Sequence, residues 1–131
     1  LLFGAEYLRL GAVEPTRDFN YVKDTVAGIL AIGASKNALG KTINIGTGYE
    51  WSIGETAEIL MQITNRSIEI VCDDKRLRPE GSEVNRLVAD NSKLKLVSGW
   101  SPEVHFRDGL EQTVEWIRKN HQHFDPSSFG Y

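Results

Sequence analysis

Thr42-Ile43-Asn44-Ile45-Gly46-Thr47-Gly48-Tyr49-Glu50-Trp51-Ser52-Ile53-Gly54-Glu55 is the stretch that decides the fold class. Its first four residues read as a strand, and Gly46-Thr47-Gly48 breaks it. Ser52 and Glu55 then form a capping box: the Ser52 hydroxyl accepts from the Glu55 N–H, and the Glu55 carboxylate reaches back to the Ser52 N–H. The helix that follows runs to about Asn65, with Ile53, Ala57, Leu60, Met61 and Thr64 on its buried face. Strand, glycine loop and helix together invite a dinucleotide-loop reading. That fingerprint needs a third glycine three residues after the second, and Trp51 stands there. The segment is read instead as a βα loop with a strong cap, able to border a ligand, and no residue of it is assigned to cofactor binding.

Working outward, strands and helices alternate, which argues for an α/β arrangement. On the N-terminal side, Tyr7 to Leu10 reads as a short strand closed by Gly11, and Arg17-Asp18-Phe19 as a second extended stretch. A helix is expected from Val22 to Ser35, because Val22, Thr25, Val26, Ile29, Leu30 and Gly33 share one face; Lys23 and Asp24 lie off that stripe. On the C-terminal side, Ser67 to Val71 is β-branched and alternating, hence a strand. Cys72 to Asn85 is a charged loop, and Leu87 to Ala89 is extended. Asp90 can cap a short helix ending at Gly99, and a last helix covers about Arg107 to Gln122 with Leu110, Thr113, Val114 and Ile117 as its stripe. We expect a single domain over residues 1–124 and a flexible tail over 125–131.

Composition narrows the classes of function. With 131 residues, 40% hydrophobic and 25% charged, the chain should fold around one core. A net charge of -3 leaves no basic excess to hold a nucleic-acid backbone. An anionic ligand must therefore be met by a few placed Arg or Lys side chains. The one cysteine, Cys72, excludes an internal disulfide. Together with the lack of any eighteen-residue apolar run or signal peptide, it fits a reducing, cytoplasmic setting and no membrane partner. Leu1 to Leu10 reads as the middle of an element, which suggests a truncated chain.

Three places can carry chemistry. Arg17 stands just before a helix N-terminus, where a guanidinium can meet a phosphate bidentately; it can equally pair with Asp18 or Asp24, and spacing leaves both readings open. Lys75-Arg76-Leu77-Arg78-Pro79 sets three cations beside a proline bend, either a solvated face or a clamp on a diphosphate, with Glu83 placed to accept from a ribose hydroxyl. His121 and His123 are spaced i, i+2 and point apart on a helix, so no metal site is assigned. Trp51, Trp100 and Trp116 are read as packing residues, and Cys72 as a lone thiol.

Six segments now line up, in order, with one family: Arg17 to Asp24; Ile43 to Gly48; Arg78-Pro79 with Ser82-Glu83-Val84; Ala89 to Lys93; Gly99-Trp100-Ser101-Pro102; and Gly109-Leu110 through Thr113 to Trp116. The set resembles the C-terminal, substrate-binding part of extended short-chain dehydrogenase/reductases, the NAD-dependent nucleotide-sugar epimerases and 4,6-dehydratases. The resemblance implies a small mixed sheet with about four helices. It implies that Arg17 and Arg78 contact the nucleotide diphosphate, and that Ser82 or Glu83 holds the ribose, Glu83 having the better chemistry because a carboxylate accepts from both hydroxyls. The implied ligand is a nucleotide sugar or nucleotide diphosphate of the UDP, GDP or dTDP type.

Family members also carry a glycine-rich NAD loop and a Tyr-x-x-x-Lys pair. Here Tyr7, Tyr21 and Tyr49 are followed four residues later by Gly11, Thr25 and Ile53, and no G-x-x-G-x-x-G occurs. A tyrosine without its lysine supplies no base, and without the NAD loop there is no hydride acceptor. No catalytic residue is therefore assigned, NAD is expected only with the full-length family, and the chain is expected to be inactive alone. The alternative is a standalone nucleotide-binding or protein-interaction module of the same descent. In either case helices that pack on the missing part would expose apolar surface, favouring a homo-oligomer or a partner protein.

Overall fold

The computed structural model describes residues 1–77, 79 and 81–123. Arg78, Phe124 and the tail 125–131 lie outside the described residues. Five short strands and four α-helices follow in the order β1 (Tyr7–Leu10), β2 (Thr16–Arg17), α1 (Val22–Ala34), β3 (Trp51–Ser52), α2 (Ile53–Thr64), β4 (Glu69–Cys72), β5 (Arg86–Leu87), α3 (Ser92–Ser98) and α4 (Phe106–Lys119). The strands divide between two small sheets. β1 runs parallel to β4, Tyr7 opposite Glu69 and Leu10 opposite Cys72. In the other sheet β2 is central, antiparallel to β3 and parallel to β5, with Arg17 opposite both Trp51 and Leu87.

Local chemistry explains the helix ends. Glu55 N donates to Ser52 Oγ at 3.0 Å and Ser52 N donates to Glu55 Oε2 at 2.8 Å, the reciprocal box that starts α2. Asp90 Oδ1 accepts from Ser92 N at 3.0 Å at the head of α3, and Gly99 ends that helix at φ 72°. α4 packs on α2 and presses Gly109 against Tyr21, where a Cβ would stand 3.2 Å from that of Tyr21.

Two expectations are corrected. Thr42 to Ile45 is not a strand: its residues alternate between exposed and half-buried, but among the described residues no strand runs alongside. The pattern of an extended segment is present and the hydrogen-bonding neighbour is not. The stripe of α1 faces outward rather than inward, with Val22, Val26, Ile29 and Leu30 exposed at 64%, 50%, 56% and 68%. The helix instead buries Asp24 and Gly28, two positions on its other side. Gly28 lets the Trp100 ring approach so closely that a Cβ would lie 2.9 Å from it. The strand expected over Ser67 to Val71 also sits later, at Glu69–Cys72, and the last helix ends at Lys119, before a 3₁₀ turn at His121–His123.

The core is correspondingly small. Among the described residues the buried apolar side chains are Ala38, Ala57, Leu94, Val97 and Val114. The accessible surface is 9323 Å² for a 14.7 kDa chain. A compact monomer of that mass exposes about 6,900 Å². The chain thus leaves uncovered a periodic apolar face that its own elements do not reach.

Candidate functional site

The three-stranded sheet exists to hold Arg17. Its guanidinium Nη1 donates to the carbonyls of Thr16 (2.8 Å) and Val84 (2.7 Å), and Nη2 donates to Glu83 Oε1 at 2.9 Å. The Arg17 and Glu83 side chains are 22% and 26% exposed, so this ion pair is only partly screened by water. Neither Asp18 nor Asp24 is its partner. Asp24 is buried, and its Oδ2 accepts from the backbone N–H groups of Glu103 (3.1 Å) and Val104 (2.9 Å), fixing the loop before α4.

A second cluster ties the three strands together. Glu50 accepts from Thr16 Oγ1 at 2.6 Å and from Arg86 Nε at 2.8 and 2.9 Å, one bond to each carboxylate oxygen. Arg86 Nη2 lies 2.8 Å from Glu50 Oε1. The Arg86 hydrogen bonds, with help from Thr16, hold the Glu50 carboxyl below the usual range. Glu50 thus bridges β2 and β5 from the segment leading into β3.

Asp18 organises the loop that faces Arg17. Its Oδ1 accepts from Thr47 N (2.9 Å) and Thr47 Oγ1 (2.5 Å), and its Oδ2 from Gly48 N (2.9 Å) and Ala89 N (3.2 Å). Burial works to raise the Asp18 pKa, but these hydrogen bonds, led by the Thr47 side chain, outweigh it and leave the group below its ordinary value. The N–H groups of the Gly46-Thr47-Gly48 loop are therefore spent on an internal carboxylate. Gly46 is required by this packing: a Cβ there would meet the Ala89 Cβ at 2.4 Å and Asp18 Oδ2 at 2.7 Å. Beneath the loop, Phe106 stacks with Phe19 (centroids 5.6 Å apart) and with Trp51 (4.8 Å).

An open cleft of about 590 Å³ borders Arg17 and Asp18, between Ile43–Ile45 and Leu87–Ala89. Of the residues singled out in the sequence, Arg17 and Glu83 come together at this place. Ser82 turns elsewhere: it is exposed, and its hydroxyl donates to the Pro79 carbonyl at 2.8 Å within a tight turn. Arg78 belongs to the same loop and is not among the described residues. The roles of Asp18 and Glu50 were not readable beforehand, since their partners lie 29 to 71 and 34 to 36 residues away in the chain. His121 Nδ1 lies 3.0 Å from the Arg118 carbonyl, remote in sequence from these groups.

The model of the family described as GDP-mannose 4,6 dehydratase matches residues 2–113. The chain belongs to that family. It lies within the extended short-chain dehydrogenase/reductases that act on nucleotide sugars. A UDP-N-acetyl-alpha-D-glucosaminuronate decarboxylase from Bacillus cytotoxicus is 34% identical over 120 residues, 90% of this chain and 37% of the relative. Among solved structures, an epimerase from Methanothermobacter thermautotrophicus superposes with a TM-score of 0.79 at 31% identity, covering 89% of this chain and 34% of that one. The UDP-glucuronic acid 4-epimerase of Bacillus cereus, solved with UDP-glucuronic acid and NAD, does so with a TM-score of 0.74 at 30% identity, covering 87% and 35%. The chain thus spans about a third of the length of these epimerase/dehydratase relatives.

Proposed function

We propose that this chain supplies the nucleotide-sugar-binding part of an NAD-dependent sugar epimerase or 4,6-dehydratase. The observation that carries the reading is the Arg17 guanidinium, oriented by two main-chain carbonyls at the edge of an open cleft. Its remaining donors, Nε and Nη2, form the fork that matches a phosphate. Glu83, 2.9 Å from that fork, is in reach of a ribose hydroxyl on the same ligand, and Arg78 is the expected second cation. The ligand is a nucleotide sugar of the UDP, GDP or dTDP type. Hydride transfer and proton removal belong to NAD and a Tyr-x-x-x-Lys pair that this sequence does not contain, so the chain alone binds and does not turn over. A cytoplasmic setting suits that chemistry.

A partner-binding role is supported by the outward stripe of α1. A periodic apolar face on a helix whose other side is already packed is suited to a second copy or a partner chain. Among the described residues no helix is long and apolar enough to cross a membrane.

Calorimetric titration with UDP tests the binding role. The wild-type chain should bind weakly, with a Kd of order 1 mM, because much of an enclosing cleft is absent. Arg17→Met should lose at least fivefold, and Arg17→Lys should recover little, since an ammonium cannot hold two carbonyls and offer a fork. Equal affinity in all three proteins would remove Arg17 from the site.

A further inference from the structure

The Arg17–Glu83 pair sets a condition on what can bind. A guanidinium has five N–H donors, and here both Nη1 hydrogens are taken by the carbonyls of Thr16 and Val84. Those bonds fix the plane of the group on the sheet. What Arg17 can offer a ligand is therefore the Nε–Nη2 side, and Nη2 already donates to a carboxylate oxygen of Glu83. Both side chains are about three-quarters buried, so the contact keeps more of its strength than a surface pair.

We infer that Glu83 is a resident counter-anion of Arg17 that a ligand phosphate must displace, and that this exchange selects nucleoside diphosphates against bare phosphate and pyrophosphate. The inference rests on the reading that Arg17 meets a phosphate. Because Nη1 is anchored on main chain, the exchange requires Glu83 to move and leaves the guanidinium in place. A bare pyrophosphate takes the fork and leaves a displaced carboxylate beside another anion, which is repulsive. A nucleoside diphosphate brings ribose hydroxyls, which donate to the released carboxylate and restore what it lost. The same residue thus penalises one anion and accommodates the other, and the positive end of the cleft stays neutralised while empty.

The test compares inorganic pyrophosphate and UDP, titrated separately into the full chain at fixed ionic strength and followed by amide NMR shifts. Wild type, Glu83→Gln, Asp74→Asn and Arg17→Met are used. Asp74 is an exposed acid of the same loop, so its substitution removes a charge without touching Arg17. Glu83→Gln is expected to tighten pyrophosphate three- to tenfold and UDP by less than half as much, collapsing the preference for UDP. Asp74→Asn should tighten pyrophosphate by less than twofold. If Glu83→Gln leaves pyrophosphate binding unchanged or weaker while Arg17→Met still loses UDP, the counter-anion role is overturned and the phosphate site stands. If Asp74→Asn tightens pyrophosphate as much as Glu83→Gln does, the effect is general charge and the exchange is refuted. If Arg17→Met changes neither ligand, the phosphate reading falls and this inference with it.

Discussion

Replacing Asp18 by Asn is the most informative perturbation of the site's framework. The two side chains have the same shape, so no cavity or clash arises. The carboxylate accepts from three backbone N–H groups and one hydroxyl, at Thr47, Gly48 and Ala89. An amide keeps one oxygen, and its NH₂ must face the donors on the other side. With the oxygen toward Gly48 and Ala89, the NH₂ opposes Thr47 N; flipped, it opposes both Gly48 N and Ala89 N. At least one buried donor is left without an acceptor, and the bonds that survive lose their charge assistance. Hydrogen bonds to charged groups contribute about 1.5–3 kcal/mol each, so the loss should total about 3 kcal/mol once partial solvation is allowed for. With a urea m-value of about 2 kcal/mol/M, the midpoint should fall by about 1.5 M. Urea unfolding followed by tryptophan fluorescence measures this, and hydrogen exchange should accelerate most at Thr47, Gly48 and Ala89. A midpoint shift below about 0.3 M, or unchanged protection at those amides, would refute the claim that Asp18 holds the Gly46-Thr47-Gly48 loop.

The acid limb of stability should carry the same signature. Asp18 has its pKa lowered on folding, so its contribution is present above the ordinary carboxylate value of about 4 and is lost as pH falls through the lower folded value; stability measured from pH 5 to pH 2.5 should drop less steeply in Asp18→Asn than in wild type. Gly46→Ala should cost about 2–3 kcal/mol, read as a lower melting temperature, because the new Cβ would stand 2.4 Å from a neighbour fixed to main chain. Leu30→Glu should change monomer stability by less than about 0.5 kcal/mol, since Leu30 is 68% exposed, and should lower the average mass seen by light scattering if the α1 face mediates association. A loss above about 1 kcal/mol would mean that the stripe is covered after all.

What could be read from the sequence was what is decided within a few residues. The Ser52/Glu55 capping box and the Gly99 helix end depend on neighbours in the chain, and both stand where the residues put them. The 3.6-residue period of α1 was legible as well, but periodicity says that a face is apolar and not what covers it. Here Asp24 and Gly28 turn inward and the stripe turns out. Thr42 to Ile45 makes the same point for strands, because composition favours extension while a ladder needs a neighbour. At the site, Arg17 and Glu83 were each named from motif position. Their 66-residue separation kept the contact between them invisible, as did the 34- to 36-residue spacings that join Glu50 to Thr16 and Arg86.

The central claim is that this chain binds a nucleotide sugar through the cleft beside Arg17. The most direct measurement is an amide-resolved NMR titration of the ¹⁵N-labelled protein with UDP-glucose. The account predicts saturating shifts that cluster at Thr16 to Asp18, Glu83-Val84 and Leu87 to Ala89, the residues around the Arg17 fork. No shift at 5–10 times the expected Kd of about 1 mM would contradict it. So would a cluster centred on the apolar groove formed by Leu8, Leu10, Ala57 and Leu60.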